Sequence, residues 1–190
     1  ELKLERQIAA KAPVVTGGAL VVPIGLIRRL QGEWPEEPSV LELRNKYVEM
    51  AAMHAVMAAE RSMGFTPLPV YRTRSYDIES APPGGEGPLR IIEVKGFTDG
   101  STDVTLTRNE MLHALNKGEH WRLALVHVPK DGSVSGAALE QMLADGALHA
   151  PIVAACEVRY VPRWFDRRPG FASTGENFNI GMLWEMGVTR

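Results

Sequence analysis

Three residues have types and spacings suited to phosphoryl chemistry: Asp77, Glu93 and Lys95. Glu93 and Lys95 stand in RIIEVKG, residues 90–96, whose apolar positions read as a β-strand. Side chains two apart on a strand point the same way, so this pair shares one face while Ile92 and Val94 take the other. A charged pair inside an apolar strand costs free energy unless partners or a cation compensate it. One reading is a plain salt bridge on a half-exposed edge strand. The other brings in Asp77, fifteen intervening residues upstream in YDIES. If YDIES and IIEVK pair as neighbouring strands, Asp77 lies beside Glu93. The two carboxylates and the Val94 carbonyl then supply hard oxygen ligands suited to Mg²⁺ or Mn²⁺. Lys95 would orient the attacking water, help deprotonate it and steady charge developing on a phosphate.

The elements around these residues can be read from periodicity. LPVYRTRSYDIES predicts a strand with Asp77 at its polar end, PPGGEG a turn, and LRIIEVKGF the next strand, giving a hairpin. Upstream, Val40 to Gly64 forms the longest helical pattern, with two apolar stripes that imply packing on more than one side. Glu49 and Glu60 interrupt it. Eleven residues at 100° each return them to nearly one face, roughly 16 Å apart, so only one could join a compact site. Downstream, TDVTLTRNEMLHALNKG contains a helix start and HWRLALVHV a strand. GAALEQMLADG suggests a short helix, and ACEVRYVPRWF a last strand. This order predicts an α/β fold, a mixed sheet flanked by helices.

At the N-terminal end, ELKLERQIAA reads as the end of a helix, and IGLIRRLQG as a short helix that Gly32 can terminate. The Pro- and Glu-rich stretch EWPEEPS marks a boundary between a small extension, residues 1–39, and a main domain, residues 40–190. The chain starts at Glu1 without a Met, as expected of a fragment of a larger cytoplasmic protein. Hydrophobic residues make up 45% and charged residues 23%, ordinary for one globular core. A net charge of −2 gives no bulk attraction for nucleic acid, so any DNA contact must come from local patches. The single Cys156, in an apolar segment, excludes an internal disulfide and a multi-cysteine zinc site. No segment is long and apolar enough to span a membrane.

Other residues have both a bland and a sharp reading. Thr107 and Glu110 fit a capping box, while Asn109 in the same first turn can point towards a metal site or a phosphate. Glu60 is either a solvated helix end or a site acid. His54 lies in an apolar stripe and reads as a core histidine. Arg72, Arg74, Arg108 and Lys117 are candidate phosphate contacts, or an ordinary solvated face. Arg163, Arg167 and Arg168, with Trp164 and Phe165, read as a surface loop of the kind that binds nucleic acid or a partner.

The pattern D–x15–E–V–K resembles the PD-(D/E)xK signature of restriction-endonuclease-like nucleases, with Tyr76 where the family has Pro. More narrowly, the run from AAMHAVMAAERSMG through SYDIES, RIIEVKG and TLTRNEMLHAL to WRLALVHV resembles the family named for the C-terminal part of the plant protein NO VEIN. The resemblance covers about residues 42–130 and rests on YDI, EVKG and TxNE in that order. It implies a divergent PD-(D/E)xK domain with an αβββαβ core, often fused to bacterial helicase-like ATPases. Carried over, Asp77 and Glu93 hold Mg²⁺ or Mn²⁺, Lys95 is catalytic, and Glu60 is the acid such nucleases place on the first helix. DNA is then the implied partner, together with an N-terminal helicase portion of the same protein. GGALVVPIGLIRRL is similar to what precedes this domain in Snf2-type helicases. The alternative is an inactive DNA-binding or substrate-sensing module on the same fold.

Overall fold

The computed structural model describes residues 27, 30–32, 40–130, 137, 141–142, 150–170 and 172–189. The chain divides into two compact units, Glu1–Glu37 and Pro38–Arg190. In the first, the Gln31 N–H donates to Ile27 O at 3.0 Å and Gly32 takes φ 74°, the left-handed helix end expected of that glycine. The GAALEQMLADG segment lies mostly outside the described residues, with Ala137, Gln141 and Met142 helical.

The second unit opens with α1, Val40–Ser62. Leu43, Tyr47, Ala51 and Ala55 form one buried i, i+4 row, and Ala52, Val56 and Glu60 an adjacent one. Strands β1 (Thr66–Pro69), β2 (Ile78–Ala81) and β3 (Arg90–Phe97) follow, then β4 (Asp103–Thr107) and α2 (Arg108–Lys117). Next come β5 (Trp121–His127), α3 (Ala150–Ala155), β6 (Glu157–Pro162), β7 (Gly175–Asn179), α4 (Ile180–Met186) and β8 (Val188–Thr189). The main sheet has the order β1-β2-β3-β5-β6-β8, while β4 and β7 form a separate two-stranded ladder. Only β3 and β5 pair in parallel; the other ladders among the described residues are antiparallel. This is the expected α/β architecture, a mixed sheet flanked by helices.

Strand parity assigns the two faces. Ile78, Ile92, Ala124 and Val126 pack with Ala51, Ala52 and Val56 on the α1 face. Ile91, Trp121, Leu123 and Leu125 take the other face, under Val104, Leu106, Met111, Ala114 and Leu183 of β4, α2 and α4. Gly96 sets the spacing of α1. A Cβ there would meet Ala52 Cβ, Val48 Cγ1 and the Val48 carbonyl oxygen, each at 3.0 Å. No helix among the described residues is long and apolar enough to cross a membrane.

Several expectations change. The stretch 66–81 is two strands forming a hairpin, because β1 ends at Pro69 and a turn-rich loop, 70–77, intervenes. Asp77 therefore stands at the start of β2. TDVTLT is a strand that pairs with GENFN, which has no apolar run to announce it. β6 is followed by three further elements. His54 is exposed, because it falls outside both buried rows of α1. Trp164 and Phe165 belong to an aromatic cluster with Trp121 and Phe178, at centroid distances of 5.0–6.2 Å, so the core takes the rings that were expected on the surface.

Candidate active site

Asp77, Glu93, Asn109 and Glu110 line one pocket of about 250 Å³, with Thr107 and the loop residues Tyr71 and Arg74–Tyr76 completing its wall. The pocket forms where β2 stops pairing at Ile78↔Ile92 and β3 runs on. Asp77 continues that edge. Its N–H donates to Ile92 O at 3.1 Å, and its carboxylate Oδ2 accepts from the Val94 N–H at 2.8 Å. The N–H and C=O of one strand residue point to the same side, so the Val94 carbonyl is aimed at the same edge.

Glu93 is 3% exposed, on the face shared with Leu123 and Leu125, and its Oε2 is buried with no hydrogen-bond partner. Burial, and then the Asp77 carboxylate, push its pKa up to about 9. Asp77 is also raised, first by burial, against the pull of the Val94 N–H and Lys95. Lys95 reaches between Glu93 Oε1 and Glu110 Oε2, each 3.0 Å from its Nζ. Burial disfavours the ammonium, but those two carboxylates outweigh it and hold its pKa above the ordinary lysine value.

The capping box expected at the start of α2 is present: the Thr107 N–H donates to Glu110 Oε2 (2.9 Å) and the Glu110 N–H to Thr107 Oγ1 (3.3 Å). Glu110 therefore both caps the helix and fixes Lys95. Asn109, exposed in the same turn, lines the pocket.

Glu60 does not join them. It is fully buried, pairs with Arg90 at 3.2 Å, and Arg90 lies over the Phe65 ring at 3.7 Å. Arg90 shares the face of Ile92, opposite Glu93. Helix α1 runs antiparallel to β3, with Glu60 level with Arg90 and Val48–Ala52 level with Gly96. This direction brings Glu49 to the site end of the strand, where its charge is among those raising the Asp77 carboxyl. Of the four candidate basic residues only Arg74 lines the pocket, and it also pairs with Glu79 at 3.9 Å. Arg72 stands over the exposed Tyr71 ring at 5.7 Å. Neither Arg108 nor Lys117 lines the pocket. The Cys156 thiol, pushed up to about 11 by burial, is not a nucleophile near neutral pH.

The oxygens gathered at this edge are those of the Asp77 and Glu93 carboxyls and the Val94 carbonyl. Among the described residues there is no group of three or more His, Cys, Asp or Glu that could hold a metal ion. Two carboxylates and a carbonyl are an incomplete set, which suits Mg²⁺ or Mn²⁺ retaining several waters. The unpartnered Glu93 Oε2 is the oxygen such an ion would satisfy.

No curated protein and no solved structure matches the chain. Residues 48–136 match the family model described as Protein NO VEIN, C-terminal, and span every strand and helix that builds this pocket except the first turns of α1. Over that stretch the chain is similar to the NO VEIN C-terminal family, the resemblance that YDI, EVKG and TxNE carry.

Proposed function

We propose that the domain is a metal-dependent nuclease that hydrolyses DNA phosphodiester bonds. The observation that carries this reading is Glu93: a deeply buried carboxyl with an unpartnered oxygen, sharing a pocket with Asp77, two residues from a lysine on the same face. Lys95 reaches only its Oε1, so the buried Oε2 still lacks the partner that a cation would supply. Asp77, Glu93 and the Val94 carbonyl would hold Mg²⁺ or Mn²⁺, whose part is to lower the pKa of a water and offset charge on the phosphate. Lys95 donates to the attacking water and to the phosphate oxygen on which charge grows. Glu110 holds the Lys95 ammonium in place, Asn109 offers an amide to the phosphate, and Arg74 counters backbone charge at the rim. Glu60 is a structural residue in this account. The wider setting we propose is the C-terminal portion of a cytoplasmic helicase-like restriction or defence protein, with DNA delivered by an ATPase part.

One observation favours a second reading, a DNA-binding module without cleavage. The Lys95 ammonium is already held between the Glu93 carboxyl and the Glu110 carboxylate, which reduces the charge it can offer a phosphate. Incubating labelled single- and double-stranded DNA with Mn²⁺ separates the two. Cleavage that disappears in Lys95→Ala supports the nuclease. Metal-stimulated binding with no cleavage supports the module.

A further inference from the structure

Ser75 lines the pocket two residues before Asp77, and its Oγ lies 2.5 Å from Nε2 of His113 on α2. His113 packs its ring against Tyr76, at a centroid distance of 5.7 Å, and its Nδ1 is buried with no partner. Those facts favour one direction of the hydrogen bond. With the proton on Nδ1, a buried N–H would be left without an acceptor, the rarer kind of unpaired group in folded proteins. With the proton on Nε2, the imidazole donates to Ser75 Oγ and only a lone pair is left unmatched. A hydroxyl that accepts from behind keeps its own proton to give elsewhere. Ser75 is exposed and lines the same pocket as Asp77, Glu93 and Asn109.

We infer that Ser75 is a substrate-binding residue, a hydroxyl held as a donor to a non-bridging phosphate oxygen, and that His113 is its positioning residue. The inference rests on the phosphodiester reading of the site and adds a contact to it. Ser75 is a neutral donor in a wall that also carries three acids, Asp77, Glu93 and Glu110. It can therefore approach a phosphate without adding charge and without competing for the cation.

Nitrogen-15 NMR of the imidazole, with inorganic phosphate and a labelled oligodeoxynucleotide as binding probes, tests it. The expected tautomer of His113 is Nε2–H. Ser75→Ala should weaken binding of both probes about tenfold, as loss of a hydrogen bond to a charged group does. His113→Leu should weaken binding equally, the double variant no further, and His113→Gln, whose amide can donate to Ser75, should restore most of it. Thermal melts confirm that each variant is folded. An Nδ1–H tautomer, or unchanged phosphate affinity in Ser75→Ala, overturns the inference while leaving metal-dependent cleavage standing. Lost phosphate binding in Ser75→Ala, with no cleavage by the parent protein, keeps Ser75 as a phosphate contact and overturns hydrolysis instead.

Discussion

Burial and the Asp77 carboxylate keep Glu93 protonated to about pH 9, and this makes the domain's stability depend on pH in an unusual direction. In the unfolded chain the same carboxyl ionises near its ordinary value of 4.5. Between those values the unfolded state gives up a proton that the folded state retains, so stability falls as pH rises through the window. Asp77, also raised, acts with the same sign. Lys95 adds nothing within it, since its own contribution is lost only above the ordinary lysine value. Thermal melts in chelator should show a midpoint that drops across this window, and Glu93→Gln should flatten the slope. Lys95→Ala should abolish cleavage, keep Mn²⁺ affinity nearly unchanged and cost about 1.5–3 kcal/mol of stability for each of the two charged hydrogen bonds lost. Asp77→Ala should lose metal affinity and cleavage together. Mn²⁺ calorimetry beside a cleavage assay distinguishes the two variants. Asp77, Glu93 and Lys95 were legible in the sequence because strand parity and hairpin spacing are local quantities. The choice between Glu49 and Glu60 was not, since it turns on which way α1 crosses β3. Ser75 and His113, 38 residues apart, carry no mark of their contact.

At the scale of elements, the glycine of EVKG is what lets α1 lie close to β3. Gly96→Ala places a methyl against the Val48 carbonyl oxygen, a backbone atom that yields only if the helix moves. The expected cost is about 1–3 kcal/mol of stability, read by urea denaturation. Moving α1 also disturbs the strand that carries Val94, so Mn²⁺ affinity should fall with it. Helix α1 and strands β3 and β5 were readable because their apolar patterns are long. β4 was hidden because TDVTLT runs directly into a helix cap, whose signal dominates the segment. β7, with GENFN, gains its place only from pairing with β4, a partner 72 residues away at Thr105 and Asn177. The aromatic residues at 164 and 165 looked like a surface motif because their neighbours are arginines. Arg163 contacts the Phe165 carbonyl and Asp166, while the rings turn inward.

For the molecule as a whole, a net charge of −2 and an acidic pocket would repel DNA until a cation compensated them, if the proposed nuclease reading holds. DNA affinity in a filter-binding titration should therefore be low in chelator, rise with Mn²⁺ and fall steeply with salt. The same ion should raise the melting temperature by mass action, about 2.7 kcal/mol of stabilisation at a hundred times its Kd. Isothermal titration calorimetry with Mn²⁺, run in two buffers of different ionisation enthalpy, tests the central claim most directly. Binding at the Asp77–Glu93 site is expected with a proton released, because Glu93 must ionise to take the ion, and no such binding in Asp77→Ala. Binding that is unaltered in Asp77→Ala and Glu93→Gln, or no binding by the parent protein, would contradict it, leaving Glu93 and Lys95 as a buried salt bridge.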